Sequence, residues 1–268
     1  MFTVLGASGF IGSSLVRRLE AQDVPYLTPS RDQPVLAGPL GHVIYCVGLT
    51  ADFRQRPFDT VQAHVCRLSS ILERGEFESF LYLSTTRLYA GACAGREEES
   101  FRVSPEKPDD LYNISKIMGE SLCCASGRPR VRIARLSNVY GGDFSSMNFL
   151  SSIIRDAVND GAVSLQTALD SEKDYVALED VVAMLPRIAA DGREQIYNVA
   201  SGANTTTEAI VEELRRLTGC TVRVAAAAPA FKFPAVSIDR VRKEFGFRPR
   251  ALLDSLPALV DEYRRWAS

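Results

Sequence analysis

The stretch Phe2-Thr3-Val4-Leu5-Gly6-Ala7-Ser8-Gly9-Phe10-Ile11-Gly12 decides the reading of this chain. A short apolar run enters a turn whose glycines stand at GxxGxxG spacing. Residues 11–19 then carry Ile11, Leu15, Val16 and Leu19 at helical spacing. Strand, glycine turn and helix together are the context in which such glycines hold a pyrophosphate. Gly6 permits the tight turn, Gly9 lets the backbone approach the anion, and Gly12 lets the helix pack closely on the strand. The helix start offers free N–H groups and the positive end of its dipole. Ser8, Phe10 and Ile11 complete the expected contacts of this turn. The competing reading is an ordinary glycine-rich strand-to-helix turn.

Working outward, residues 24–28, 43–47, 80–84 and 131–136 read as strands, and 61–73 and 111–124 as helices. The run at 43–47 is apolar without alternation, as in a strand buried on both faces. Strands alternating with helices at this spacing predict an α/β fold, a Rossmann-type doubly wound parallel sheet. Only ten residues separate Arg31 from His42. A βαβ unit needs ~30 residues, so the sheet is expected to be trimmed after the second strand, with a loop or very short strand there. Beyond Tyr140 the pattern loosens. Helices are expected at 149–158, 180–189, 207–217 and 252–266, with Thr205–Thr207 capping the third, and a short strand at 196–199. The expected division is a dinucleotide-binding core of 1–140 plus about 174–202, interleaved with a smaller substrate region of 141–173 plus 203–268.

The 268 residues are 46% hydrophobic and 24% charged, a globular balance, and the net charge is −2. No global basic field is present to hold nucleic acid or an anionic membrane, so an anionic ligand must rely on local cations and backbone amides. Of six cysteines none forms a CxxC pair, and there are two histidines, His42 and His64. A zinc site needs about four ligands in a tight array, so no metal is expected. Disulfides are not expected either. No apolar run approaches the ~20 residues of a membrane span, and no basic-then-apolar leader opens the chain. The expectation is a reduced, cytoplasmic protein.

Two further groups bear on chemistry. Ser30-Arg31 falls about where an acidic residue would take a ribose diol, and a hydroxyl with a guanidinium suits a 2′-phosphate better. NADP(H) is therefore preferred over NAD(H); the alternative leaves Arg31 solvated and gives the ribose to Asp32. Cys46, Val47 and Gly48, at the end of the third strand, are expected to border the same cofactor. Tyr112-Asn-Ile-Ser-Lys116 puts a phenol and an ammonium four residues apart on one helix face. A nearby cation brings a tyrosine from a pKa of ~10 toward neutrality, as acid–base work requires.

The order of these parts resembles the extended short-chain dehydrogenase/reductases of the NAD-dependent epimerase/dehydratase family, which modify nucleotide-linked sugars. Gly6 to Gly12 is similar to that family's fingerprint, and Leu83-Ser-Thr-Thr-Arg-Leu-Tyr89 resembles the strand end bearing its catalytic hydroxyl. The resemblance implies Thr85 as that hydroxyl, Tyr112 as acid–base, and Lys116 as its partner and a ligand of the nicotinamide ribose. Arg135-Leu-Ser-Asn138-Val-Tyr-Gly141 and Lys173-Asp-Tyr-Val resemble substrate segments, implying that Asn138 and Lys173 touch substrate. Lysine here stands where the family has arginine, a point charge without a bidentate fork. Tyr197-Asn-Val-Ala-Ser-Gly202 and Phe245-Gly-Phe-Arg-Pro249 also fit. Lys232 is a further candidate for a diphosphate, and Thr86 and Arg87 for the sugar. Asn138 and Lys173 also have plain readings, as a backbone-satisfying amide and a solvated charge. Glu97-Glu-Glu reads as a solvated loop, Cys123-Cys124 as helix packing, and His64 as a surface or packing residue.

Family dehydratases carry an Asp-Glu pair after the catalytic threonine, whereas Thr86 and Arg87 supply no carboxylate. Bifunctional epimerase-reductases use a cysteine where Thr86 stands. The resemblance thus implies an NADP(H)-dependent reductase of a nucleotide-linked 4-keto sugar, with Tyr112 as general acid. The alternatives are a 4-epimerase with retained NAD and, with Tyr112 and Lys116 intact, the weaker reading of a non-catalytic dinucleotide sensor. A homodimer pairing helices 61–73 and 111–124 with their copies is implied by analogy alone.

Overall fold

The computed structural model describes residues 1–30, 38–50 and 52–268. The chain runs β1 (Phe2–Leu5), α1 (Phe10–Ala21), β2 (Tyr26–Leu27) and β3 (His42–Tyr45). Next come α2 (Pro57–Val61) and α3 (Arg67–Arg74), which one π-helical turn, Gln62–Cys66, joins into a continuous helix. β4 (Ser79–Thr85) ends in a 3₁₀ turn over Thr86–Tyr89, and α4 (Asp110–Ala125) leads to β5 (Val131–Leu136) and β6 (Asn138–Tyr140). Then follow α5 (Phe149–Asn159), β7 (Ala162–Leu165), β8 (Glu172–Ala177), α6 (Leu178–Asp191), β9 (Ile196–Val199), β10 (Asn204–Thr206), α7 (Thr207–Thr218), β11 (Thr221–Val224), α8 (Asp239–Phe245) and α9 (Leu252–Ala267).

Six strands form one parallel sheet in the order β2-β1-β3-β4-β5-β9. Its inner strands are buried, β4 and β5 almost end to end; β4 is accordingly apolar over residues 80–83, while β5 buries Arg132 and Arg135 among its apolar residues. One face packs α1 and α6 against Val4, Ile44, Leu81 and Ala134; the other packs α3 and α4 against Leu5, Tyr45, Tyr82 and Ile133. The α/β, Rossmann-type expectation is thus met. The loop or short strand expected after β2, together with Arg31 and Asp32, lies outside the described residues.

The second half holds what the sequence pattern did not disclose. A three-stranded sheet, β10-β8-β6, and a parallel pair, β11-β7, accompany the main sheet. They pack with α5, α7 and α9 around a separate core of Leu150, Ile153, Val163, Ile210, Leu256 and Tyr263. Val236, Ile238, Val241 and Phe247, late in the chain, return to the core of the six-stranded sheet. Strand β8 runs straight into α6, so the small sheet is tied without a loop to a helix of the main layer.

Candidate active site

Gly6 leaves β1 in the left-handed region, φ +84°, where a side chain is strained. A Cβ there would stand 2.9 Å from the Cys46 carbonyl carbon and 3.0 Å from the Val47 nitrogen, so the turns after β1 and β3 are pressed backbone to backbone. A Cβ on Gly12 would collide with the Gly6 carbonyl oxygen and lie 2.9 Å from its carbon, whereas one on Gly9 meets nothing closer than 3.4 Å. Gly12 therefore closes the turn, and Gly9, exposed beside Ser8, is the open side of it. The first turn of α1 has no side-chain cap and no acidic residue. Its amides and positive dipole end are uncontested, which fits a diphosphate. Ser8, Gly9 and Phe10 line an open cleft that continues past Gly142 and Leu178. Ile11 is half-buried, and Ser30 is exposed beyond β2. Cys46 is an enclosed thiol that burial pushes up to about 12, so it borders the site as an unreactive SH.

At the carboxyl end of β4 stands Thr85, and the first turn of α4 delivers Tyr112. The Thr85 hydroxyl oxygen accepts the Arg87 N–H at 3.1 Å, capping the 3₁₀ turn. Tyr112 is buried, and the Thr50 and Thr85 side chains act on its hydroxyl as polar neighbours that lower its pKa. Its ring packs on Phe53, with centroids 5.4 Å apart, and edge-on to His64, also at 5.4 Å. Lys116 follows one turn later, 5% exposed; its Nζ donates to the Leu83 carbonyl at 2.9 Å. Gly48 sits against it, since a Cβ there would be 3.6 Å from Nζ. The three residues expected to act together thus share one pocket.

The electrostatics differ from the sequence expectation at one point. Lys116 does not dominate Tyr112. Its ammonium is 6.0 Å from the Tyr112 ring centroid, nearer the Tyr82 ring at 5.0 Å. Burial raises the Tyr112 phenol above its ordinary value, opposed by the Thr50 side chain, the Arg87 charge and the Thr85 side chain. Burial also pulls the Lys116 ammonium down to about 8, against the Glu120 charge.

Arg87 lies over two rings, its Cζ 5.5 Å from the Phe53 centroid and 5.6 Å from that of Tyr112. Thr86 beside it is buried. Lys173, on β8, is held below its ordinary value by burial first and then by the Arg87 charge, so two cations of the two halves face one region. Lys173 lines a small cavity with Phe149, Thr167, Tyr175, Thr205 and Phe231. Lys232 is at its rim, next to Glu172 and ion-paired to Asp170 at 3.1 Å. The Asn138 side-chain amide donates to the Asp174 carbonyl at 2.7 Å, joining β6 to β8. Asp174 accepts from the Ser201 and Gly202 N–H groups at 2.8 and 2.7 Å, which locks the loop after β9.

Two residues escaped the sequence reading, and His64, read as a surface or packing residue, proves to pack. Thr50 reaches Tyr112 from a loop with no motif around it. Glu97 is no solvated loop charge: it is 6% exposed, accepts the Asn198 N–H at 3.1 Å, and burial raises its carboxyl. His64 is fully buried within the π turn. Its place on one stripe with Leu68, Ile71 and Leu72, four, seven and eight residues on, was the available signal. Among the described residues no helix is long and apolar enough to cross a membrane.

A nucleotide-binding parallel sheet with a Thr, Tyr and Lys pocket at its strand ends defines a class of dinucleotide-dependent enzymes. Residues 39–200 match the NAD dependent epimerase/dehydratase family, and the chain belongs to it. The chain is 23% identical over 207 residues to the dTDP-4-dehydro-6-deoxyglucose reductase of Escherichia coli, covering 73% of this chain and 64% of that one. The match therefore spans about two-thirds, and slightly less, of that relative's length. It is 24% identical over 290 residues to the dTDP-6-deoxy-L-talose 4-dehydrogenase (NAD(P)(+)) of Kitasatospora kifunensis, covering 93% and 91%. Among solved structures, MoeE5 in complex with UDP-glucose and NAD superposes with a TM-score of 0.82 at 22% identity, over 100% of this chain and 99% of that one.

Proposed function

We propose that the protein is an NADP(H)-dependent reductase of a nucleotide-linked 4-keto sugar. The observation that carries this reading is the buried Tyr112, one turn before the buried Lys116 and with Arg87 over its ring, in a pocket where Thr85, Thr86 and Arg87 offer hydroxyls and a cation but no carboxylate; burial raises the phenol. A phenol that stays protonated at neutral pH is a proton donor. The Gly6–Gly12 turn and the Cys46–Gly48 backbone would hold a dinucleotide, which when bound would supply the hydride. Tyr112 then gives its proton to the developing alkoxide, and the Thr85 hydroxyl holds that oxygen in line. Lys116 keeps a positive charge behind the pocket and offers N–H to a ribose. Arg87 and Lys173 take the anionic part of the substrate, with Asn138 and Lys232 at its edges. The names of the relatives, reductase and 4-dehydrogenase of dTDP-linked deoxysugars, favour this substrate class. The preference for NADP(H) rests on Ser30-Arg31, and the division into a dinucleotide core and an interleaved substrate region remains part of this proposal, with Val236, Ile238, Val241 and Phe247 of the second region packing on the first core.

The test is binding of NADPH and NADH to the purified protein, with a check for cofactor carried through purification. Tight NADPH, weak NADH and an empty site as isolated support the reductase. Tightly retained NAD overturns it in favour of a 4-epimerase. Turnover is then sought on dTDP-linked 4-keto-6-deoxy sugars.

A further inference from the structure

His64 has two ring nitrogens, and both are used. Nε2 lies 3.2 Å from the Leu49 backbone nitrogen, whose N–H it accepts. Nδ1 lies 2.8 Å from Ser115 Oγ. Ser115 has one hydroxyl hydrogen, and this goes to the Tyr112 carbonyl at 2.9 Å. The hydroxyl must therefore accept from the imidazole, so Nδ1 carries the proton and Nε2 is bare. One neutral tautomer satisfies the whole chain, from Leu49 N–H through His64 and Ser115 to the backbone of Tyr112. Burial and the Lys116 charge both oppose protonation, holding the ring down to about 2.

The surroundings support that geometry. The π turn that places His64 widens the helix, and two core tyrosines receive the loosened carbonyls. Tyr45 OH donates to Ala63 O at 2.6 Å and Tyr82 OH to His64 O at 3.4 Å. A π turn costs helix regularity and recurs where a side chain must be set for function. The turn held by His64 is the one whose other end, Cys46–Val47, is pressed onto Gly6. At Gly48 a Cβ would be 3.2 Å from His64 Nε2 and 3.6 Å from Lys116 Nζ.

We propose that His64 is a positioning residue: a neutral imidazole that fixes the Gly48–Leu49 backbone at a set distance from Tyr112 and Lys116, and so sets the gap that receives the cofactor's nicotinamide half. This rests on the dinucleotide-binding reading given above. His64 touches neither reacting atom and transfers no proton; it acts through Leu49 and Ser115.

The test uses the intact chain and NADPH or NADH, whichever binds the wild-type protein more tightly, followed by fluorescence. His64→Leu leaves the Leu49 N–H and Ser115 Oγ without the ring, and the dissociation constant rises about tenfold. Ser115→Ala cuts the link to Tyr112 with the imidazole in place, and the constant rises about threefold. His64→Gln, whose amide both accepts and donates, returns it to within about twofold of wild type. With turnover established, KM for the cofactor rises while KM for the sugar stays level, a split that a loss of folded protein does not produce. Wild-type constants in both His64→Leu and Ser115→Ala overturn the proposal. If His64→Leu does not fold, Ser115→Ala and His64→Gln decide it: a wild-type constant in Ser115→Ala, or no recovery in His64→Gln, overturns it. If the wild-type chain binds neither nucleotide, the reading of the site itself fails and this inference falls with it.

Discussion

Replacing Lys116 by methionine is expected to make the protein more stable at neutral pH while abolishing its activity. The ammonium is 5% exposed and makes one hydrogen bond, to the Leu83 carbonyl at 2.9 Å. Its pKa falls from 10.5 to about 8 in the folded chain. For a cation with a depressed folded pKa, the folded state favours the neutral form. The stabilising contribution is complete above 10.5 and is lost as pH falls through about 8. At pH 6.5 the wild-type protein therefore bears the full cost of charging the buried amine, about 3 kcal/mol at ~1.4 kcal/mol per unit. Methionine fills nearly the same volume and is never charged. The lost hydrogen bond takes back about 1 to 2 kcal/mol. The net gain of about 1 to 2 kcal/mol corresponds to a rise in Tm of about 2–6 °C for a chain of this size. Thermal unfolding of both proteins without ligand, at pH 6.5 and pH 10, measures it. The advantage should shrink or reverse at pH 10, where the wild-type amine is neutral. A variant less stable than wild type at pH 6.5, or an advantage equal at both pH values, refutes the reasoning.

The glycine turn gives a paired expectation. Gly12→Ala collides with the Gly6 backbone and should cost about 3 kcal/mol, lowering Tm by about 6–12 °C, while Gly9→Ala melts like wild type yet binds dinucleotide at least about tenfold more weakly. Melting curves and nucleotide titrations separate the two, and equal loss of stability in both would contradict it. Thr50→Val removes a polar neighbour that lowers the Tyr112 pKa, so the alkaline limb of kcat against pH, where the general acid is lost, should move to higher pH. A shift to lower pH would contradict the assignment. Glu120→Ala leaves the buried Arg135 guanidinium without the carboxylate it now grips at 2.7 and 2.9 Å, and should cost about 3–5 kcal/mol in denaturant unfolding. A loss under about 1 kcal/mol would mean that the pair is solvated.

The six-stranded sheet was legible because each of its inner strands is buried on both faces, and such burial writes itself as an unbroken apolar run. Phe80 to Leu83 and Val43 to Tyr45 are examples, while in β5 the buried Arg132 and Arg135 interrupt the run. The parallel pair β11-β7 was not legible: each strand is four residues, too short for its alternation to stand out, and β11 is largely exposed. In the site, Tyr112, Lys116 and Thr85 were found because spacing on one helix or one strand end brings them together. Thr50 and His64 join the same pocket by tertiary contact, and no local pattern encodes a partner 51 residues away, as for His64 and Ser115. Glu97 was misread for the same reason: its neighbours Glu98 and Glu99 look like solvent, while its own carboxylate meets Asn198, 101 residues on.

The two hydrophobic cores also bear on how such a protein changes over generations. Lys173 and the cavity around it rest on the second core, whereas Thr85, Tyr112 and Lys116 rest on the first. β8 passes into α6 without a loop, so the strand bearing Lys173 is tied directly to a helix of the main layer. On the proposed reading, variation in 141–171 and 203–233 would retune which substrate is gripped while Thr85, Tyr112 and Lys116 stay on the six-stranded sheet, so that one chassis could be refitted for many substrates.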